Sequence, residues 1–194
     1  MAKWLGDPRG NFEVMMLAGG LAVLAGLGFI IRDLVRILPN RDVPVPVDLT
    51  DVPHDLLLDG TASAEVTEAV IQVSGLGPFP HAIVLAAALM PTLTLMVVAV
   101  CFAQLGRSFL KGDFFTAGCL VAITTAAFTL MLGASVIPLL EVMAANSALA
   151  TVDISFGQPI SVDVVMFVAG FALGVVGYAF QRGARLQRDT EGLV

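Results

Sequence analysis

A chain of 194 residues that is 57% hydrophobic and only 13% charged falls outside soluble proteins, where roughly 45–50% of residues are apolar and about 25% charged. Lipid is its expected main solvent, and little length remains for a separate soluble enzyme domain. The net charge of −6 argues against nucleic acid as a direct partner, because a polyphosphate backbone is bound through a surplus of Lys and Arg.

The first element is a charge-free run over 14–31. About 20 apolar residues cross the hydrocarbon core, so the run is long enough to span as a helix. Its 18 residues exceed the roughly 7–15 of a signal-peptide core, and Arg32, Asp33 and Arg36 stand where a small-residue cleavage site would lie. It therefore reads as a retained helix. Ala18, Ala22 and Gly26 recur every four residues, a spacing that lets two helix backbones approach closely, within the bundle or between two copies.

The segment 38–80 is next and is expected to fold. Val43, Val45, Val47 and Leu49 alternate with Pro44, Pro46, Asp48 and Thr50, the two-residue period of a strand with one covered face. Proline lacks a backbone donor, so Pro44 and Pro46 spoil one edge and mark an edge strand. A second strand is expected over 65–73, before Gly75-Leu76-Gly77-Pro78. His54, with Asp51, Asp55 and Asp59 around it, has the donors for a divalent cation without the ligand spacing of a metal site. A solvated acidic loop is the reading.

Charge-free runs over 82–106 and 114–140 follow, with Pro91 and Pro138 expected to kink them. Cys101 and Cys119 lie inside these runs as small apolar packing residues, so no disulfide framework is expected. In the next segment, 141–163, Ala150, Val152, Ile154 and Phe156 alternate with polar residues, and Ile160, Val162 and Val164 do so again after Gly157-Gln158-Pro159. Two more strands are expected there, joined by a turn. The last charge-free run, 164–181, carries Gly170 and Gly174 at four-residue spacing.

The expected fold is an integral membrane protein, mainly α. It is a four-transmembrane-helix bundle of one domain with spans at about 14–37, 82–106, 114–140 and 164–184. A small extracellular β-sheet is drawn from both outer loops, 38–80 and 141–163. Four spans place Lys3, Arg9, Arg107, Lys111, Arg182, Arg185 and Arg188 on one side, and Arg32, Arg36 and Arg41 on the other. Basic residues near span ends stay cytoplasmic, so both termini are expected on the cytoplasmic side of the bacterial inner membrane. The acidic residues divide five inside and eleven outside, giving +2 inside and −8 outside.

No Asp, Glu, Lys, Arg or His lies within the runs; Gln104 and the threonines at 92, 94, 116, 124, 125 and 129 are among the polar residues there. Ion and proton pathways place costly ionisable groups in the bundle, which weighs against a pump. No serine or cysteine has a nucleophile setting, so neither an enzyme nor a cofactor or metal centre is expected. Trp4 fits an interface anchor, and His81 an interfacial residue.

The inner surface is basic. Arg182, Arg185 and Arg188 lie three residues apart, on one side of a helix continuing out of the membrane. They suit anionic headgroups, or, with Arg107 and Lys111, an acidic cytoplasmic protein.

Two inner segments carry a resemblance. Leu105-Gly106-Arg107-Ser108-Phe109-Leu110-Lys111-Gly112-Asp113-Phe114-Phe115-Thr116, entering the third span, and the ending Phe180-Gln181-Arg182-Gly183-Ala184-Arg185-Leu186-Gln187-Arg188-Asp189-Thr190-Glu191-Gly192-Leu193-Val194 resemble a bacterial four-helix membrane family known as domain of unknown function 2975. Its members are often encoded beside a small helix-turn-helix regulator. The resemblance implies no active site but a cytoplasmic DNA-binding partner, with Gly112, Phe114, Gly183, Leu186, Gln187, Asp189 and Glu191 as elements of the dock. The expected function is a non-enzymatic membrane protein that senses at its outer face and binds that regulator inside. The alternative is a small transporter or an accessory subunit of a larger membrane complex.

Overall fold

The computed structural model describes residues 8–48, 55–58, 62–65, 68–112, 115–151, 158, 160 and 162–191. In chain order the elements are α1 (Pro8–Ile37), β1 (Val43–Asp48), β2 (Asp55–Leu58), β3 (Ala62–Glu65), β4 (Glu68–Val73), α2 (Pro78–Leu110), α3 (Ala117–Thr151) and α4 (Val164–Glu191). All four helices are long and apolar enough to cross a membrane. The chain forms two compact units. One comprises Met1–Ile30, Met90–Val136 and Val162–Val194, and the other Ile31–Leu89 and Ile137–Ser161.

In the second unit, α1 stops before Pro39, whose ring disfavours helix in the residue ahead of it. Asn40 and Asp42 then take positive φ of 52° and 49°, a region that Asn and Asp enter more easily than other side chains. This turns the chain into β1, which pairs antiparallel with β4 in the register Val43↔Val73 to Asp48↔Glu68. Val43, Val45 and Val47 are fully buried, and Val73 and partly buried Ile71 pack in the same cluster. The expected alternation is therefore real, and it covers one face of a two-stranded sheet. A second two-stranded sheet joins β2 to β3.

The bend from α1 into β1 is tied to the bend from β4 into α2. The Asn40 side-chain amide donates to Leu76 O (2.8 Å), while Leu76 N donates back to Asn40 Oδ1 (3.0 Å). Asp42 N donates to Ser74 Oγ (2.8 Å), and the His81 ring donates from Nε2 to Ile37 O (2.9 Å). Each bond satisfies a backbone group that neither helix nor strand serves.

The second loop departs from expectation. The second outer loop is expected from residue 141, yet α3 runs on to Thr151, so residues 141–151 are helix and not loop. Ala144, Ala145, Ala148 and Leu149 are buried against the valines of β1 in one cluster, a helical spacing built from the best helix former. A charge ends a bilayer span, but it does not end a helix. Ala150 and Thr151 are thus helical where a strand was expected, and 152–156 lie outside the described residues. Ile160 and Val162 form no strand, and Val164 opens α4. Among the described residues, every strand comes from the first loop alone.

The second loop reaches the sheet through one side chain instead. Gln158 accepts from Asp48 N through Oε1 and donates to Asp48 O through Nε2, both at 2.8 Å, and its own N–H donates to Asn146 Oδ1 on α3 (3.0 Å). Its primary amide takes the place of one residue of a neighbouring strand. Since Asp48 presents N–H and C=O on that edge, Pro46 and Pro44 face the same way, as an edge strand requires.

In the first unit, α1 meets α2 through Gly19 and Gly26. A methyl at Gly19 would lie 2.8 Å from Ala99 O, and one at Gly26 2.5 Å from Met96 Cγ. Ala18 and Ala22, expected in this seam, are exposed. On α4 the close contacts are made by Gly170, 2.9 Å from Ala127 O, and Gly177, whereas Gly174 faces open space. The seams therefore repeat at seven residues, the period of a helix pair that keeps one face together.

Candidate functional site

At the first unit's α2–α3 end an aromatic cluster joins the segments that carry the basic residues. α2 closes with Gly112 at φ 82° and with Lys111 N and Gly112 N donating to Ser108 O and Phe109 O (3.1 Å each), the left-handed ending that glycine adopts without strain. Thr116 opens α3, its Oγ1 accepting from Cys119 N at 3.4 Å, in the manner of an N-cap. Between these two ends lie Asp113 and Phe114, which fall outside the described residues.

Phe12 of α1 meets Phe109 of α2 edge-on at 5.3 Å between ring centroids, Phe109 stacks on Phe180 of α4 at 6.2 Å, and Phe180 meets Phe115 at 5.4 Å. Such separations fall in the range where aromatic pairs attract beyond their buried area. Glycine makes room for the rings: a methyl at Gly183 would lie 2.6 Å from Phe115 Cε1, and one at Gly106 3.1 Å from Phe12 O. The four phenylalanines thus draw together three helices and the segment that leads into α3.

Around this plug Arg107, Lys111, Arg182 and Arg185 are exposed. Arg182 folds back along its own helix, donating from Nε (3.2 Å) and Nη2 (2.9 Å) to Tyr178 Oη, with its guanidinium carbon 5.5 Å from the ring centroid. Its charge is thereby fixed in place rather than splayed beside Arg185. Gly112 ends α2, Gly183 accommodates Phe115, and Leu186 is exposed. Gln187, Arg188, Asp189 and Glu191 are carried on the backbone of α4, which runs on through Glu191, while their side chains lie outside the described residues.

The sequence marked the cations of this end but not what joins the segments that carry them. Phe12, Phe109, Phe115 and Phe180 all sit at or within three residues of the ends of charge-free runs, and that shared depth was the signal available. Tyr178, four residues before Arg182, was a second one, since residues at that spacing share a helix face.

Of the expected solvated acidic loop, Asp51, His54 and Asp59 lie outside the described residues, and the side chain of Asp55 is not described. Among the described residues no cluster of three His, Cys, Asp or Glu side chains could hold a metal. His81 is engaged with the Ile37 carbonyl. Comparison of the chain with protein-family models, curated proteins and solved structures gives no match.

Proposed function

We propose that the chain is a non-enzymatic four-pass protein of the bacterial cytoplasmic membrane whose basic end, inside the cell, docks a small helix-turn-helix regulator. The observation that carries this reading is the phenylalanine plug, which packs together the segments that carry the exposed Lys111, Arg182 and Arg185. A membrane anchor needs no such packing, since headgroups are fluid and attract any exposed cation. A folded acidic partner gains from it, because backbone segments already packed together leave only side chains to be ordered on binding. Seven of the ten Lys and Arg belong on this side, and the resemblance in the 105–116 and 180–194 segments supplies the class of partner. The sensing role in this proposal falls to the sheet of β1 and β4, drawn from the first outer loop.

The transport alternative calls for Gln104 and the threonines to line one wet path. Gln104 lines a lateral groove against α1, and Thr124 lines a different one between α3 and α4. These two grooves do not combine the polar residues into a passage.

Crosslinking in the native host, gentle solubilisation and mass spectrometry of what co-purifies test the proposal. A stoichiometric small DNA-binding protein is expected, lost when Arg182, Arg185 and Arg188 are changed to Gln. Recovery of an integral membrane partner instead, or of the same partner from the triple variant, would overturn it.

A further inference from the structure

The groove between α1 and α2 has a volume of about 910 Å3 and is lined by Met16, Gly20, Leu24 and Val100, with Gln104 and Arg107 toward its polar end. Two adjacent glycines shape it. Gly19 is pressed against Ala99 and Ala103 of α2, while a methyl at Gly20 would meet nothing within 4 Å, so one glycine brings the helices together and the next leaves the trough bare. Residues 16–24 rise about 12 Å along α1, close to the roughly 15 Å of hydrocarbon in one leaflet. A single cation ends an otherwise apolar trough of that length.

We infer that this groove holds one acyl chain of an anionic phospholipid, with Arg107 binding its phosphate and the Gln104 amide donating beside it; the inference rests on the membrane placement proposed above. Charge complementarity selects the occupant. An anionic amphiphile supplies what the trough lacks at both ends: hydrocarbon for the bare floor and a phosphate that a guanidinium grips through two parallel bonds. A second copy of this chain would bring its own basic end against Arg107, and like charges at close range repel. The groove between α3 and α4, about 410 Å3, has Tyr178 and Gln181 at its end and no cation in its lining, which makes it the natural control.

The test is native mass spectrometry of the full-length protein released from nanodiscs of mixed phosphatidylcholine and phosphatidylglycerol. Retained phosphatidylglycerol is expected from the wild type and to fall about tenfold in Arg107→Gln, which loses a charge-assisted pair. Gly20→Leu, which fills the trough, should lose it as well. Gly28→Leu and Gly174→Leu place the same side chain in open space elsewhere and should retain lipid as the wild type does. Wild-type retention of phosphatidylglycerol in Arg107→Gln and Gly20→Leu, or retention of phosphatidylcholine as readily as phosphatidylglycerol, would overturn the inference alone. Release of the wild type from membranes by alkaline carbonate would overturn the membrane placement as well.

Discussion

Asp163 N donates a 3.1 Å hydrogen bond to the carbonyl oxygen of Ala134, the carbonyl that Pro138, four residues further along α3, cannot serve. Proline has no N–H, so the helix leaves one acceptor unmatched. Ala134 is fully buried, and a buried carbonyl without a partner is costly. The first residue before α4 supplies the missing donor. The same aspartate caps its own helix, its Oδ1 accepting from Met166 N at 2.9 Å.

This dual role yields a double-mutant cycle. Asp163→Ala should lower stability by about 1 kcal/mol through loss of the cap alone. Asp163→Pro should cost about 1–3 kcal/mol more, because it also strips the Ala134 carbonyl of its partner. Adding Pro138→Ala restores an internal donor to that carbonyl and should recover most of the extra loss. Thermal unfolding in micelles measures all three, and strict additivity would contradict the pairing.

The Gln158 clip makes a local prediction. With Gln158→Ala the Asp48 amide loses its acceptor, and its hydrogen exchange should quicken by about tenfold, the equivalent of one net hydrogen bond. Gln158→Glu keeps an acceptor for Asp48 N but turns an oxygen toward Asp48 O, so it should protect that amide only in part. Unchanged exchange at Asp48 in both variants would show that the clip does not hold the edge.

The seven-residue seams predict opposite results for neighbouring glycines. Gly19→Ala and Gly170→Ala push a methyl against the backbone oxygens of Ala99 and Ala127 and should destabilise by about 1–3 kcal/mol, as overpacking does. Gly20→Ala and Gly174→Ala enter open space. They should be neutral or stabilising by up to about 1 kcal/mol, through the helix preference for alanine. The same unfolding assay ranks the four.

The phenylalanine plug predicts a link between packing and charge. Gly183→Val drives Cβ into the Phe115 ring and should disturb the packing of the segments that carry the cations, although it leaves every charge in place. Capture of the cytoplasmic partner should therefore weaken in Gly183→Val, while expression and membrane insertion persist. Full capture would mean that the charges act without the plug.

What the sequence made legible follows from the physics each feature obeys. Lipid tolerates few charges, so the four charge-free runs stood out, and β1 announced itself because Val43, Val45 and Val47 obey a period of two. The extension of α3 is legible in the helical spacing of Ala144, Ala145, Ala148 and Leu149, whereas the charge of Glu141 limits only the apolar run and not the helix. The seams were half legible: small residues marked them, yet the choice of Gly19 over Ala18, and of Gly177 over Gly174, depends on which face meets a neighbour. Gln158 left no trace in pattern, since a single amide bonding a residue 110 positions away has no periodicity. At the basic end the cations could be placed by charge count, whereas the ring contacts beneath them required the fold.

Single-cysteine labelling tests the membrane placement most directly. Cys101 and Cys119 are both buried, and with each replaced by alanine, one cysteine is introduced as Ser63→Cys in β3 or as Gln187→Cys in α4. A membrane-impermeant maleimide applied to intact cells should label position 63, and should label position 187 only after the membrane is opened. Labelling of position 187 from outside intact cells, or of neither site until the membrane is opened, would contradict a protein whose sheet faces out and whose basic end faces in.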